Sequence, residues 1–359
     1  MALLKDWIHR WEVHLSTRDR NRRADPFTWG LEHLADMNAY LPEPFPFEDI
    51  ALTDPHQFLM EYNAKVVANS DAFFTPTEVP EWHFHDNWLT FRSTVQTPYE
   101  TNNIAYARYF PVTTKKDSSG EMPPVVIVLP QWNADIRGHV AVCQMMNKLG
   151  MAAVRLSLPY HDSRKPQNQM RADYMVSPNI GRTLQACRQA VHDVRSIITW
   201  LETLGYTRFG IVGTSIGSCI SFLSYVHDPR LRVGAFNHVS SYFADVVWTG
   251  ISTRHVRDGL EGQVQRADLR NYWMAISPQP FVKRLRNEIH HGHKTLLISA
   301  QYDMTFLPHL SRQLMSEFER CRIPYQTAWM PCGHYTSGEF PFKFYDGYLM
   351  GKHMVKYLK

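Results

Sequence analysis

An α/β architecture, with a mostly parallel central sheet flanked by helices, is predicted by three features of the sequence. Short apolar runs recur as candidate strands, helical stretches alternate with them, and a Gly-x-Ser-x-Gly turn joins one such strand to the helix after it.

Taken in order, residues 1–85 read as a mostly helical N-terminal extension. Helical periodicity is weak at Leu3, Leu4, Trp7 and Trp11, and the proline-broken LPEPFPF follows at 41–47. From about residue 86 the pattern changes. WLTFRSTV (88–95) and AYARYF (105–110) are strands by their β-branched and aromatic content, with a turn at Glu100–Asn103 between them. PVVIVLP (124–130) is wholly apolar, as a strand covered on both faces must be, and AAVRLSLP (152–159) repeats the pattern. Leu184, Cys187, Val191, Val194, Ile198 and Leu201 recur at spacings of three and four, one stripe of a helix that Gly205 stops. FGIVG (209–213), a helix from Ile216, LRVGAFNHV (231–239), TLLISA (295–300), a helix over about 310–318, QTAWM (326–330) and a last helical stretch complete the alternation. Residues 240–293 break the rhythm, and a segment that long is a helical lid insertion rather than a loop. The domain proper is 86–359.

Composition narrows the function. With 359 residues, 44% hydrophobic and 20% charged, the chain is globular and can bury a large core. A net charge of +4 is too small to imply nucleic acid as the main partner. Five cysteines without CxxC spacing indicate neither a disulfide framework nor a zinc site, and reduced thiols point to the cytoplasm. No stretch reaches the apolar length of a membrane span or of a secretory signal core. The sequence sets no oligomeric state.

The chemistry concentrates at Gly213, Thr214, Ser215, Ile216 and Gly217, where a strand ends and a helix begins. In that context Gly-x-Ser-x-Gly is a nucleophile elbow: the glycines permit a tight turn that lifts the serine hydroxyl above the sheet edge. With this elbow the chain resembles the α/β-hydrolase superfamily from about residue 88 to the end. PYHDSRKPQNQ (159–169) and WLETLGYTRFGIVGTSIG (200–217) are similar to a branch of α/β-hydrolase-domain-containing proteins. The resemblance implies the α/β-hydrolase fold and a triad in the order Ser, Asp, His. Asp303, just beyond TLLISA, and His334, in PCGHYTSGE, fit it. His334 would take and return the serine proton while Asp303 fixes its tautomer. Of the two oxyanion donors, the Ile216 amide is the first, and the second comes from LPQWNAD (129–135), from Trp132 or Gln131.

Substrate contacts are expected from two places. His161 and Arg164 follow an apolar strand and so lie at the same sheet edge as Ser215, with a solvated loop, ion-paired through Asp162 or Glu202, as the alternative. The aromatic residues of the insertion, Trp248 and Trp273 among them, either line an acyl pocket or anchor the insertion. His83, His85 and Asp86, and the HHGHK run at 290–294, lack metal-ligand spacing, so neither a metal nor a cofactor is expected. The reading is a serine hydrolase cleaving a small-molecule carboxylic ester through an acyl-enzyme. Amide, peptide or lipid acyl hydrolysis on the same triad and a non-catalytic scaffold are the alternatives.

Overall fold

A computed structural model describes residues 2–18, 21–42, 54–112 and 121–359. Most of LPEPFPF lies outside the described residues. Nine strands form one sheet: β1 (Trp82–His85), β2 (Trp88–Arg92), β3 (Ile104–Phe110), β4 (Val125–Leu129), β5 (Ala152–Leu156), β6 (Phe209–Thr214), β7 (Leu231–Asn237), β8 (Lys294–Ala300) and β9 (Gln326–Met330). Their order is β1-β2-β3-β5-β4-β6-β7-β8-β9. β1 pairs antiparallel with β2, β2 with β3 and β3 with β5, and every pairing from β5 through β4 to β9 is parallel.

Strand pleating explains why the β4 run is apolar throughout. Val125, Ile127 and Leu129 enter the core on one face with Leu184, Cys187, Val191 and Val194 of the helix Ile180–Thr203. Val126 and Val128 enter the other, with Cys143 and Met146 of the helix Val140–Lys148 and Met350 and Met354 of Phe342–Tyr357. β1, by contrast, is an exposed edge strand, and it falls before the boundary at residue 86 that the sequence suggests.

The N-terminal segment is packed into the core. Leu34 and Met37 of the 3-10 helix Leu31–Ala39, Phe58, Leu59, Tyr62 and Val66 of the helix Pro55–Ala68, and Phe73 and Phe74 of Ser70–Phe74 join the same cluster as Ile180–Thr203. They cover the outer, polar side of that helix and supply its hydrogen bonds. Arg188 Nε and His192 Nε2 both donate to the Phe73 carbonyl, each at 2.8 Å. The insertion folds as three short helices, Phe243–Thr249, Arg254–Leu260 and Arg266–Tyr272, followed by 3-10 turns. Buried Asp245 pins it by accepting from Arg266 Nε and from Arg270 Nε and Nη2 at 2.6–2.7 Å. Among the described residues no helix is long and apolar enough to cross a membrane.

Two expectations about substrate contacts are corrected here. Arg164 is fully buried: its Nη1 donates to Asp193 Oδ2 at 2.7 Å and to the Ser157 carbonyl at 3.0 Å, and Nε and Nη2 donate to the Asn102 carbonyl. Its partner is neither Asp162 nor Glu202. Asp162 instead binds Arg155, at 2.9 Å, and Glu202 binds Arg230. Trp273 is also fully buried; it donates from Nε1 to the Ile180 carbonyl at 3.2 Å and meets Phe243 edge-on, so it anchors the insertion. Truncating Arg164 to Ala strands the Asp193 carboxylate in the core, a defect worth about 3–5 kcal/mol. A denaturant melt is expected to register that loss. An unchanged melt with a higher KM only for anionic esters would return Arg164 to the substrate.

Candidate active site

All the residues that matter here lie at the carboxyl ends of the parallel strands, where open α/β sheets bind ligands. Ser215 follows β6 directly and begins the helix Ile216–His227 with φ 58° and ψ −123°, a conformation side chains rarely adopt and one that costs roughly 1–3 kcal/mol. The two glycines of the motif make the turn possible. A Cβ at Gly213 would collide with the Gly217 carbonyl and Ser221 Oγ, and one at Gly217 with the Leu129 and Pro130 carbonyl oxygens. The elbow is therefore pressed against the end of β4, and it is tied to β7 by Ser215 N–H donating to the Asn237 carbonyl at 2.9 Å.

Asp303 follows β8 and His334 follows β9. Gln301 and Tyr302 donate their amides to the Met330 and Cys332 carbonyls, both at 2.9 Å, which fixes the acid loop against the histidine loop. Asp303 Oδ1 accepts the Thr305 and Phe306 amides at 2.7 Å each. Its other oxygen faces His334 Nδ1 at 3.3 Å, so Nδ1 carries the proton and Nε2 is left basic. Phe306 stacks on the His334 ring, 5.3 Å between centroids and 13° from parallel. Burial alone would lower the His334 pKa, but Asp303, by charge and hydrogen bond, and Glu12 together raise it above the ordinary histidine value. Asp303 is pushed upward by burial and, more strongly in sum, downward by His334 and His238, which hold it well below the usual carboxylate range.

The sequence did not single out His238, which stands just beyond β7. Its Nδ1 lies 2.8 Å from the same Asp303 Oδ2, close but off the line of a good hydrogen bond, and its Nε2 lies 3.0 Å from Ser337 Oγ. Ser337 donates in turn to the His334 carbonyl at 2.7 Å. His238, Asp303 and His334 present three ligand-type atoms within 4.8 Å of one another, a spacing that suits a shared proton network as well as a metal ion. Position offers the only signal that could have found His238: it occupies the end of a core strand, as Ser215 and Asp303 nearly do.

The loop after β4 forms another side of the site. His161 is 1% exposed and does not face the substrate; its Nδ1–H donates to the Pro159 carbonyl at 2.8 Å, and its Nε2 accepts the Asn133 amide at 3.0 Å. Burial pushes its pKa down to about 4, which keeps Nε2 an acceptor. The Asn133 amide is thereby occupied, while the amides of Gln131 and Trp132 have no acceptor among the described residues. Trp132 is held by Nε1–H donation to the Ala172 carbonyl at 2.9 Å and by stacking on His255.

Two spaces meet at Ser215. One is an apolar pocket lined by Trp132, Ile216, Phe243, Val246, Val247 and Phe306 among others. The other is a larger groove that passes Gln131, Trp132, Ser215, Asn237 and His334. Trp132 and Ser252 line both. Trp248 lines neither and lies under the Arg257 guanidinium, 5.9 Å from its ring centre. The remaining histidine candidates stay apart from this site. His83 and His85 sit exposed on β1, and His290 and His293 contact each other at 3.1 Å in a separate loop. All five cysteines, Cys332 included, are buried free thiols.

A family model described as alpha/beta hydrolase domain containing 18 matches residues 83–272, more than half of the chain. Solved structures share the fold at low identity. Acylaminoacyl peptidase from Pyrococcus horikoshii superposes with a TM-score of 0.57 at 15% identity over 79% of this chain and 42% of its own. Acetyl xylan esterase 1 from Thermoanaerobacterium sp. JW/SL YS485 does so with a TM-score of 0.58 at 12% identity, over 88% of this chain and 100% of its own. An acetyl xylan esterase from Paenibacillus sp. R4 gives 0.57 at 14%, over 90% and 99%. The chain thus spans less than half the length of the peptidase it matches. No curated protein matches it in sequence. The architecture is the α/β-hydrolase fold that the elbow implied.

Proposed function

The chain belongs to the alpha/beta hydrolase domain containing 18 family, and from that premise we propose that it is a serine hydrolase cleaving a carboxylic ester of a small molecule through an acyl-enzyme. The observation that carries this reading is the strained Ser215 turn opening on the groove that His334 also lines, with Asp303 behind the histidine. In the proposed reaction Ser215 Oγ attacks the ester carbonyl as His334 Nε2 takes its proton. The imidazolium, stabilised by Asp303, then returns the proton to the departing alkoxide. The amides of Ile216 and of Trp132, or of Gln131 beside it, face the developing oxyanion. The apolar pocket receives the acyl group, the groove carries the alcohol, and the 240–293 insertion acts as the lid that roofs the acyl side through Phe243, Val246 and Val247.

A fluorophosphonate tests the nucleophile: it is expected to inactivate the protein and to add its mass to the peptide containing Ser215. Failure to label Ser215 in folded protein would falsify the assignment. An ester and amide series then separates esterase activity from the peptide cleavage named for the acylaminoacyl peptidase. Phe243→Ala widens the acyl pocket, and since one methylene in an apolar pocket is worth on the order of tenfold in kcat/KM, the ratio of octanoyl to acetyl ester turnover is expected to rise by at least that much. An unchanged ratio removes the acyl group from this pocket.

A further inference from the structure

We propose that Glu12, in the N-terminal helix Ala2–Ser16, is a positioning residue for the general base, holding the 333–336 turn that carries His334 and supporting its positive charge during turnover. The inference rests on the triad reading above. Glu12 has no exposed surface, although Leu3, Trp7 and Val13 of the same helix are open to solvent. Its carboxylate reaches across the molecule: Oε1 accepts the Thr336 amide at 2.7 Å and Oε2 accepts the Tyr335 amide at 3.1 Å. The turn closes around it so tightly that a Cβ at Gly333 would strike the Glu12 carboxyl group. Gly333 N–H donates to Thr336 Oγ1 at 2.7 Å, which locks the residues on both sides of His334 into one unit with the carboxylate.

The neighbouring chain strengthens the clamp. Arg22 Nη2 donates to Tyr335 Oη at 2.8 Å, and His9 packs its ring against Tyr302, next to Asp303, with centroids 6.4 Å apart. All three contacts come from residues that precede the matched family segment, which begins at residue 83. Among the described residues Glu12 forms no ion pair with Lys or Arg, so two backbone amides are what satisfy its oxygens directly. A buried carboxylate placed in this way is stabilised further whenever a positive charge develops nearby, and the charge that develops here is the His334 imidazolium. Glu12 thus acts from the second side of the histidine loop, opposite in origin to Asp303, and gives the N-terminal helix a part in catalysis.

The test is Glu12→Gln in the full chain, compared with wild type in kcat, KM, pH profile and melting temperature. Misplacing a catalytic group by about 1 Å can cost up to roughly a hundredfold. The expected result is a kcat lower by about ten- to a hundredfold with KM changed less than about threefold. The acid limb of kcat/KM is also expected to move to lower pH. Burial and the nearby Asp303 raise the Glu12 pKa, while the Thr336 and Tyr335 amides and His334 work against that rise; wherever Glu12 is ionised it favours the protonated His334, so losing that charge lowers the histidine pKa. Glu12→Asp keeps the charge with a shorter reach, and it is expected to keep the limb in place while still losing rate. It serves as the decisive variant should Glu12→Gln not fold. Wild-type kcat in either folded variant, or a loss that only tracks the unfolded fraction with the limb unmoved, overturns the proposal. Fluorophosphonate labelling of Ser215 in wild type separates the two ideas, because its absence defeats the triad reading itself, whereas labelling with an indifferent Glu12 defeats only this one.

Discussion

Ser215→Ala is expected to reduce ester hydrolysis by on the order of 10⁴- to 10⁶-fold in kcat, with the folded structure and melting temperature nearly unchanged. The substitution deletes the one atom that forms the acyl bond in the proposed reaction. It does not disturb the surrounding contacts, because the elbow is held through backbone: Ser215 N–H to the Asn237 carbonyl, and the Ser215 carbonyl accepting Ser218 Oγ at 2.6 Å and the Ser218 amide at 2.9 Å. Whatever residual catalysis remains would come from the oxyanion donors and from binding. The alanine protein is also expected to bind substrate with about wild-type affinity, since the acyl pocket and groove are untouched. Turnover within tenfold of wild type in a pure alanine sample would mean that another group performs the attack.

The parts of this arrangement visible in the sequence are those written in local pattern. The sheet interior was legible because β4 and β5, packed on both faces, must be continuous apolar runs, and the elbow because its glycines are forced by close approach. Residues that act through long-range placement were not legible. Asp193 reads as a polar residue on the outer side of an amphipathic helix, yet it is buried, accepting from Ser93 Oγ at 2.6 Å and from Arg164 Nη1 at 2.7 Å. Arg164, at the end of the 3-10 turn Asp162–Arg164 and followed by Lys165, has the local appearance of a solvated cation; only the meeting of the segment after β5, Asn102 and the helix Ile180–Thr203 puts it in the core. β1 failed for the opposite reason: an edge strand exposed along most of its length has no apolar alternation to detect. Glu12 lies more than 300 residues from the turn it holds, a separation no periodicity can encode.

Asp303→Asn is expected to lower kcat by roughly 10⁴-fold, the scale found when the orienting carboxylate of a Ser-His-Asp set becomes an amide. The reason is a conflict of protons. Oδ1 already accepts two amides, from Thr305 and Phe306, so an asparagine must keep its carbonyl oxygen there. Its NH₂ group then points at His334 Nδ1 and forces that nitrogen to become the acceptor, which moves the ring proton to Nε2 and leaves no base facing Ser215. Losing the carboxylate charge also withdraws the main influence that raises the His334 pKa. As the proposed base, His334 works only when neutral, so kcat/KM should rise with pH through a value above the ordinary histidine 6.5. In the asparagine variant the residual activity should lose that limb or show it at lower pH. The buried carboxylates nearest in role do not offer a substitute. Asp245 is spent on Arg266 and Arg270, and Asp346, pushed up to about 7 by burial, accepts from Asn237 Nδ2 at 2.8 Å. An Asp303→Asn protein that keeps a tenth or more of wild-type kcat would therefore overturn Asp303 as the carboxylate that orients the base.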